Sequence, residues 1–182
     1  EATALLRLLS WYAPTPVPEA LLATPVAADL LRELISPNAQ GSGPLYPEDA
    51  LVELAAFSMV RRSEDQGEPC FSLHCVVQEI TRKRIPDAES RMILRDAVRL
   101  FVAHAPHDSY RFELWGAWRM LIPHAEALWQ SSLGNPGAND TMRSSGLPRE
   151  EWSTDLLDML ALYYMGQKRH EEGVPLQRLA LN

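Results

Sequence analysis

The chain has little cysteine: two residues in 182, Cys70 and Cys75, five apart. That number and spacing exclude the disulfide framework of a small secreted domain, so a reducing compartment, the cytoplasm, is expected. No apolar run approaches the roughly 18 residues that a membrane span needs. No signal peptide is visible at the start. Cations are fewer than acids, 17 against 24, and the formal net charge is −7. A negative field of that size opposes non-specific binding to nucleic acid. The phosphate-binding pattern G-x-x-x-x-G-K-S/T is also absent, so these residues by themselves are not expected to hold a nucleotide tightly. The first residue is Glu1 rather than methionine, and Asn182 falls within an apparent helix. We therefore expect a segment of a larger protein.

What is present is an ordinary globular composition, 46% hydrophobic and 23% charged, enough to build a core. Ala4, Leu5, Leu8, Leu9 and Tyr12 recur at helical spacing and predict a helix over 2–12. Pro14, Pro16 and Pro18 forbid its continuation. Pro18 can open a short helix to Ala23. Val26 to Ile35 predicts another helix, with Leu30, Leu31 and Leu34 inward. Residues 36–44 are loop by composition. Pro47 begins a helix with Ala50, Leu51, Leu54, Ala55 and Ser58 along one face. The chain then turns extended over 57–62. The stretch 63–69 (SEDQGEP) predicts a polar hairpin tip, with Gly67 at positive φ. Cys70 to His74 returns as a strand, with Phe71 and Leu73 on one face. Cys75 to Arg84 is a helix with Val76, Val77 and Ile80 inward, and Arg82, Lys83 and Arg84 at its negative end. Helix, strand, tight wing, strand, helix is the second half of a winged helix.

After Pro86, Asp87 or Ser90 caps a helix carrying Ile93, Ala97, Leu100, Phe101 and His104. Trp115, Trp118 and Ile122 share a stripe, and Pro123 is expected to start a new helical turn. Residues 131–148 are the most loop-like of the chain. Arg149 to Arg169 and Glu171 to Leu181 predict a closing pair of helices. The fold class expected is mainly α. It comprises a winged helix with a small β-hairpin over 1–86, a helical linker over 87–132 and a flexible loop over 133–148. A helical hairpin over 149–182 begins a repeat solenoid.

Few constellations carry chemistry. Cys70, His74 and Cys75 are too few and too unpaired for a structural zinc site, which normally takes four ligands in close pairs. Cys75 and His74 as a thiol–imidazole pair lack a third group to orient them. Trp115, Trp118 and Trp129 read as core anchors that lock the linker to the winged helix, rather than as a ligand box. Glu150, Glu151, Asp155 and Asp158 read as a solvated helix face. Arg61, Arg62, Arg82, Lys83 and Arg84 could line a nucleic-acid surface. Against them stand Asp49, Glu53, Glu64, Asp65, Glu68 and Glu79, and a helix before the wing with no basic or amide side chain to reach base edges. His74 reads either as the cap of the following helix or as a group that offers a hydrogen bond to a phosphate.

Two resemblances add to this. The stretch DLLDMLALYYMGQKRHEEGVPLQRLALN resembles a tetratricopeptide repeat. Leu157, Leu160, Ala161, Tyr164, Gly173 and Ala180 fall on its large–small pattern. Lys168 departs from its usual turn glycine, and His170 from its usual aromatic. The blocks LLRLLSWYAPTPVPEALL, DALVELAAFSMVRR, FSLHCVVQEITRKRI and RMLIPHAEALW, in that order, resemble part of the STAND-class signalling NTPases (NB-ARC with tetratricopeptide repeats). There a winged helix follows the nucleotide core and repeats follow the winged helix. The resemblance implies a non-catalytic regulatory and interaction segment of an ATPase-type switch. Its partners would be an upstream nucleotide-binding domain, which would hold the ADP or ATP, and a protein ligand on downstream repeats. In that family a Met-His-Asp motif begins the last winged-helix helix, and its histidine contacts the phosphate of bound ADP. Leu73, His74 and Cys75 stand there, so only the histidine is kept, and the missing acid alters the inhibitory geometry. A winged-helix DNA-binding regulator with a repeat-type sensor arm is the alternative.

Overall fold

The structure, a computed structural model, describes residues 1–35, 46–133 and 151–180, with the backbone alone at 151–153. The loop expected at 36–44, the loop at 133–148 apart from Leu133, and the predicted helical ends at Arg149 and Leu181 lie outside the described residues. The chain is mainly helical with one small three-stranded antiparallel sheet, and it divides into two compact units, residues 1–104 and 105–182.

The first unit opens with α1, Ala2–Leu9, which buries Ala4, Leu5, Leu8 and Leu9. It ends three residues earlier than periodicity suggests. Ser10 Oγ donates to the Arg7 carbonyl at 2.8 Å, and the chain then turns toward its prolines. Tyr12 stays buried, its hydroxyl donating to the Ala97 carbonyl at 3.0 Å.

The short helix expected from Pro18 to Ala23 is formed as a single 3-10 turn, shorter than expected and with Pro18 at its N-cap. Val17–Pro18 is a short strand, β1, and the turn follows it at Glu19–Leu21. Val17 faces Phe71 and Pro18 faces Cys70. Proline is tolerated there because β1 is an edge strand, where a missing N–H interrupts no ladder. Two residues are also too few to show alternation in a sequence.

Helix α2 is Pro25–Ile35 and α3 is Pro47–Ala56. Leu30 and Leu31 are buried in α2, while Leu34 is half-buried. Ser58, expected on one face of α3, lies past its end, exposed and at φ +57°. The Ser58 N–H bonds to the Ala55 carbonyl and the Met59 N–H to the Leu54 carbonyl. This is the Schellman ending, with serine where glycine is usual.

Strands β2, Val60–Asp65, and β3, Glu68–Leu73, run in register from Val60–Leu73 to Asp65–Glu68. The sheet order is β1-β3-β2. The residues expected to form a long polar tip, 63–69, mostly belong to the two arms. Only Gln66 and Gly67 turn, both at positive φ (53° and 86°), as a two-residue hairpin of this hand requires.

Helix α4, Cys75–Arg84, has the expected bounds and an unexpected face. Val76 and Ile80 are exposed and Val77 is half-buried, whereas Gln78 is buried. The reason lies in α1. Carbonyls at and beyond its end have lost helical partners and need donors. Gln78 Nε2 donates to the Tyr12 carbonyl at 2.9 Å, and Arg82 donates to the Ser10 carbonyl. Residues 78 and 82 are four apart and meet these acceptors together. Burial of Arg82 lowers its pKa, the sign expected when a charged form loses water.

Helix α5, Asp87–His104, buries Ile93, Leu94, Ala97, Val98, Leu100 and Phe101, and both α1 and α2 pack against it. Asp87 sits within its first turn rather than capping it. Ser90 Oγ bonds to the Pro86 carbonyl at 3.3 Å.

In the second unit, α6 is Trp115–Ser132. Pro123 lies inside this helix, so the helical turn expected to start there continues a helix already under way. Buried Trp118, Leu121, Ala125 and Leu128 on both sides of it supply the packing that carries the helix through. Helices α7, Glu151–Gly166, and α8, His170–Ala180, are joined by a three-residue turn. Lys168 takes φ +61° in that turn, and the Arg169 N–H reaches the Tyr164 carbonyl at 2.8 Å. The ending matches that of α3. No helix among the described residues is long and apolar enough to cross a membrane.

Candidate functional site

The residue that sequence reasoning singles out, His74, lies between β3 and α4. Extended at φ −66° and ψ 137°, it is the N-cap of α4. Its Nδ1 accepts the Val76 N–H at 3.2 Å, satisfying one of the donors that every helix start leaves over. An Nδ1 that accepts is unprotonated, so the neutral ring carries its proton on Nε2. His74 is exposed, so that Nε2–H is open to a hydrogen-bond acceptor at the positive end of a ten-residue helix.

The two neighbours differ in placement. Leu73 is buried on the sheet, and Cys75 is exposed at the first helical position. Cys75 Sγ is 3.8 Å from His74 Nδ1. That nitrogen already accepts a backbone N–H, which makes it a poor base for the thiol. Cys70 is buried within β3, and burial raises its pKa. The structure therefore does not bring Cys70 to the surface where His74 and Cys75 sit. Among the described residues no cluster of three His, Cys, Asp or Glu is arranged to hold a metal ion.

Val60 faces Leu73 at the end of the ladder, so Met59 and His74 are the next residues out on the two strands. Phe57, Met59 and Val76 are each exposed. Sequence reasoning missed the exposure of Val76. It assigned Val76 to the core from its helical spacing, and exposure of a single apolar residue has no sequence signal of its own.

Three of the five cations of the expected nucleic-acid surface are engaged within the chain. Arg62 holds Glu19 through two hydrogen bonds, at 2.7 and 2.5 Å. Arg82 turns inward to the Ser10 carbonyl. Lys83 pairs with Glu79 at 2.6 Å. The helix before the wing, α3, exposes Glu48, Asp49 and Glu53.

In the second unit Trp118 is fully buried and packs on Tyr163 of α7, ring centroids 6.0 Å apart. The Trp115 ring borders Gly166 at the end of α7. These tryptophans thus pack α6 against α7 within the second unit. Trp129 is half-buried. Tyr164 donates to the Glu126 carboxylate, and burial with that neighbouring charge pushes its pKa far up. Leu157, Leu160 and Ala161 are buried, as is Gly173 of α8. Asp155 and Asp158 are exposed, and the side chains of Glu150 and Glu151 lie outside the described residues.

No curated protein and no solved structure matches this chain. Residues 1–90 match one family model, described as a domain of unknown function, DUF7779.

Proposed function

We propose that the chain is a non-catalytic regulatory and protein-interaction segment of a STAND-type signalling NTPase. In this reading residues 1–86 form a winged helix that restrains a nucleotide-binding domain of the same polypeptide. The pair α7–α8 begins a run of tetratricopeptide repeats that sense a protein ligand. The chemistry, with its ADP or ATP, belongs to the nucleotide domain, and the setting is the cytoplasm. A ligand on the repeats would favour the open form only by the margin with which it prefers that form.

The observation that carries the reading is the element order of the first unit. Helix, strand, helix, helix, strand and strand follow one another, and the first strand pairs with the last. That is the run a winged helix asks for, with Gln66–Gly67 as the wing tip. His74 supports the second step, since it ends the sheet with an exposed Nε2–H. It could donate to a phosphate oxygen while its other nitrogen keeps the cap. The exposed acids of α3 and the engaged cations speak against DNA as the partner.

The test is His74→Ala in the full-length protein. A hydrogen bond to a charged phosphate is worth about 1.5 kcal/mol or more, so ADP retention should fall ~tenfold and basal activity should rise. Unchanged ADP affinity would sink the sensor role. The reading also requires a phosphate-binding loop elsewhere in the same polypeptide.

A further inference from the structure

Strand β2 is an edge strand, paired with β3 on one side only. Its two-residue turn fixes which backbone groups that pairing uses. Such a turn is closed by a pair that exchanges hydrogen bonds, here Asp65 and Glu68. Bonded and non-bonded pairs alternate from there. Ser63 with Cys70 and Arg61 with Ser72 are therefore bonded pairs. Glu64 with Pro69 and Arg62 with Phe71 are not, which suits Pro69, since it has no N–H to give. The N–H and C=O groups of Arg62 and Glu64 thus point away from β3, to the open edge. No other backbone group among the described residues takes them up.

The side chains of this strand are ordered by charge. Arg61 and Arg62 precede Ser63, and Glu64 and Asp65 follow it. The first four are exposed and Asp65 is half-buried. Charges on an edge strand ordinarily deter a second strand. Here the sign reverses at Ser63, so the deterrent fails against one strand in particular, the same strand run antiparallel.

We infer that β2 is a self-pairing edge whose occupant is β2 of a second copy of the chain, the two sheets joining edge to edge. Backbone geometry and charge select the same register. With a two-fold axis at Ser63, Arg62 exchanges both backbone bonds with Glu64 of the second copy, and Glu64 with its Arg62. The same register sets Arg61 opposite Asp65 of the second copy. Every charged side chain of the strand then faces its opposite. An axis at Arg62 would set guanidinium against guanidinium, and an axis at Glu64 carboxylate against carboxylate. Arg62 holds Glu19 through Nε and Nη2, which leaves Nη1 for the carboxylate of the second copy. Other occupants fit less well. A nucleic acid meets Glu64 and Asp65, and an unrelated strand satisfies the edge only if it repeats this order of charges. The inference rests on the first unit alone and not on the proposed nucleotide switch.

Sedimentation velocity on the 182-residue chain, from micromolar to millimolar, tests it. The mass should rise from one chain to two and stop there, because the other edge, β1, is only two residues long. Arg61→Asp alone and Asp65→Arg alone should each weaken association ~tenfold or more, since like charges then stand opposite at both ends of the ladder. Both changes in one chain should restore it. Glu64→Pro should abolish dimers with the hairpin intact, since the Glu64 N–H takes no part in pairing with β3. The register is read by cross-linking in a Cys75→Ser background, which removes the exposed thiol. Under a mild oxidant Ser63→Cys should give a disulfide-linked dimer across the axis, and Arg61→Cys should not. A chain that stays monomeric overturns the inference. So does growth beyond two, a dimer indifferent to the single reversals or to Glu64→Pro, a double variant that fails to recover, or cross-linking at Arg61→Cys in place of Ser63→Cys.

Discussion

At the scale of single residues, Gly173 shows how closely α7 and α8 approach. A Cβ added there would lie 2.8 Å from Met165 Cγ and 3.0 Å from the Ala161 carbonyl oxygen. The methionine can move aside, but the carbonyl is part of α7 and cannot. Alanine would gain about 1 kcal/mol of helix propensity and lose ~1–3 kcal/mol to overpacking. We expect Gly173→Ala to be destabilising by roughly 1 kcal/mol, read as a lower urea midpoint at unchanged slope. A higher midpoint would mean that the helices can part freely. The sequence marked Ala161 and Gly173 by size alone, and both are buried. It also marked Lys168 as out of place in a turn. The structure gives Lys168 the left-handed backbone that glycine adopts more easily. Of the two readings of His74, the cap is the one the structure displays, with Nδ1 accepting the Val76 N–H.

Elements were legible in their bounds more than in their faces. The ends of α4 follow from His74 and Pro86, which punctuate the chain locally. Its inward face depends on carbonyls of Ser10 and Tyr12, more than sixty residues away, which local periodicity does not contain. The hairpin shows a similar limit. Arg61, Arg62, Ser63 and Glu64 are all exposed, so β2 lacks the alternation that would announce a strand. Its turn is nonetheless specific. A Cβ on Gly67 would meet nothing within 4 Å, so any penalty there comes from the backbone at φ +86° and not from crowding. Gly67→Ala should therefore cost about 1 kcal/mol. Gln66→Asn, which suits positive φ better, should return a few tenths of that. Thermal melts of the two variants moving in opposite directions would bear this out. Equal shifts would argue against a two-residue turn of this hand.

For the whole molecule, the sequence places a boundary at Pro86, whereas the compact units divide after His104. A proline interrupts a helix, but whether it interrupts a core depends on what the next helix covers. Helix α5 covers a great deal. It buries Ile93, Leu94, Ala97, Leu100 and Phe101, packs on both α1 and α2, and offers the Ala97 carbonyl to the buried Tyr12 hydroxyl. Removing it would leave that hydroxyl without this acceptor, and would bare the apolar faces of α1 and α2. Each large side chain so exposed forfeits ~1.5–3 kcal/mol, and a domain holds only about 5–15 kcal/mol in all. A chain of residues 1–104 should therefore melt cooperatively. A chain of residues 1–86 should lose its sharp transition and bind a hydrophobic dye, although its sheet and first four helices are intact in sequence. Calorimetry on the two fragments decides the matter. If 1–86 melts as sharply as 1–104, then α5 is an appendage and the core closes at Ile85.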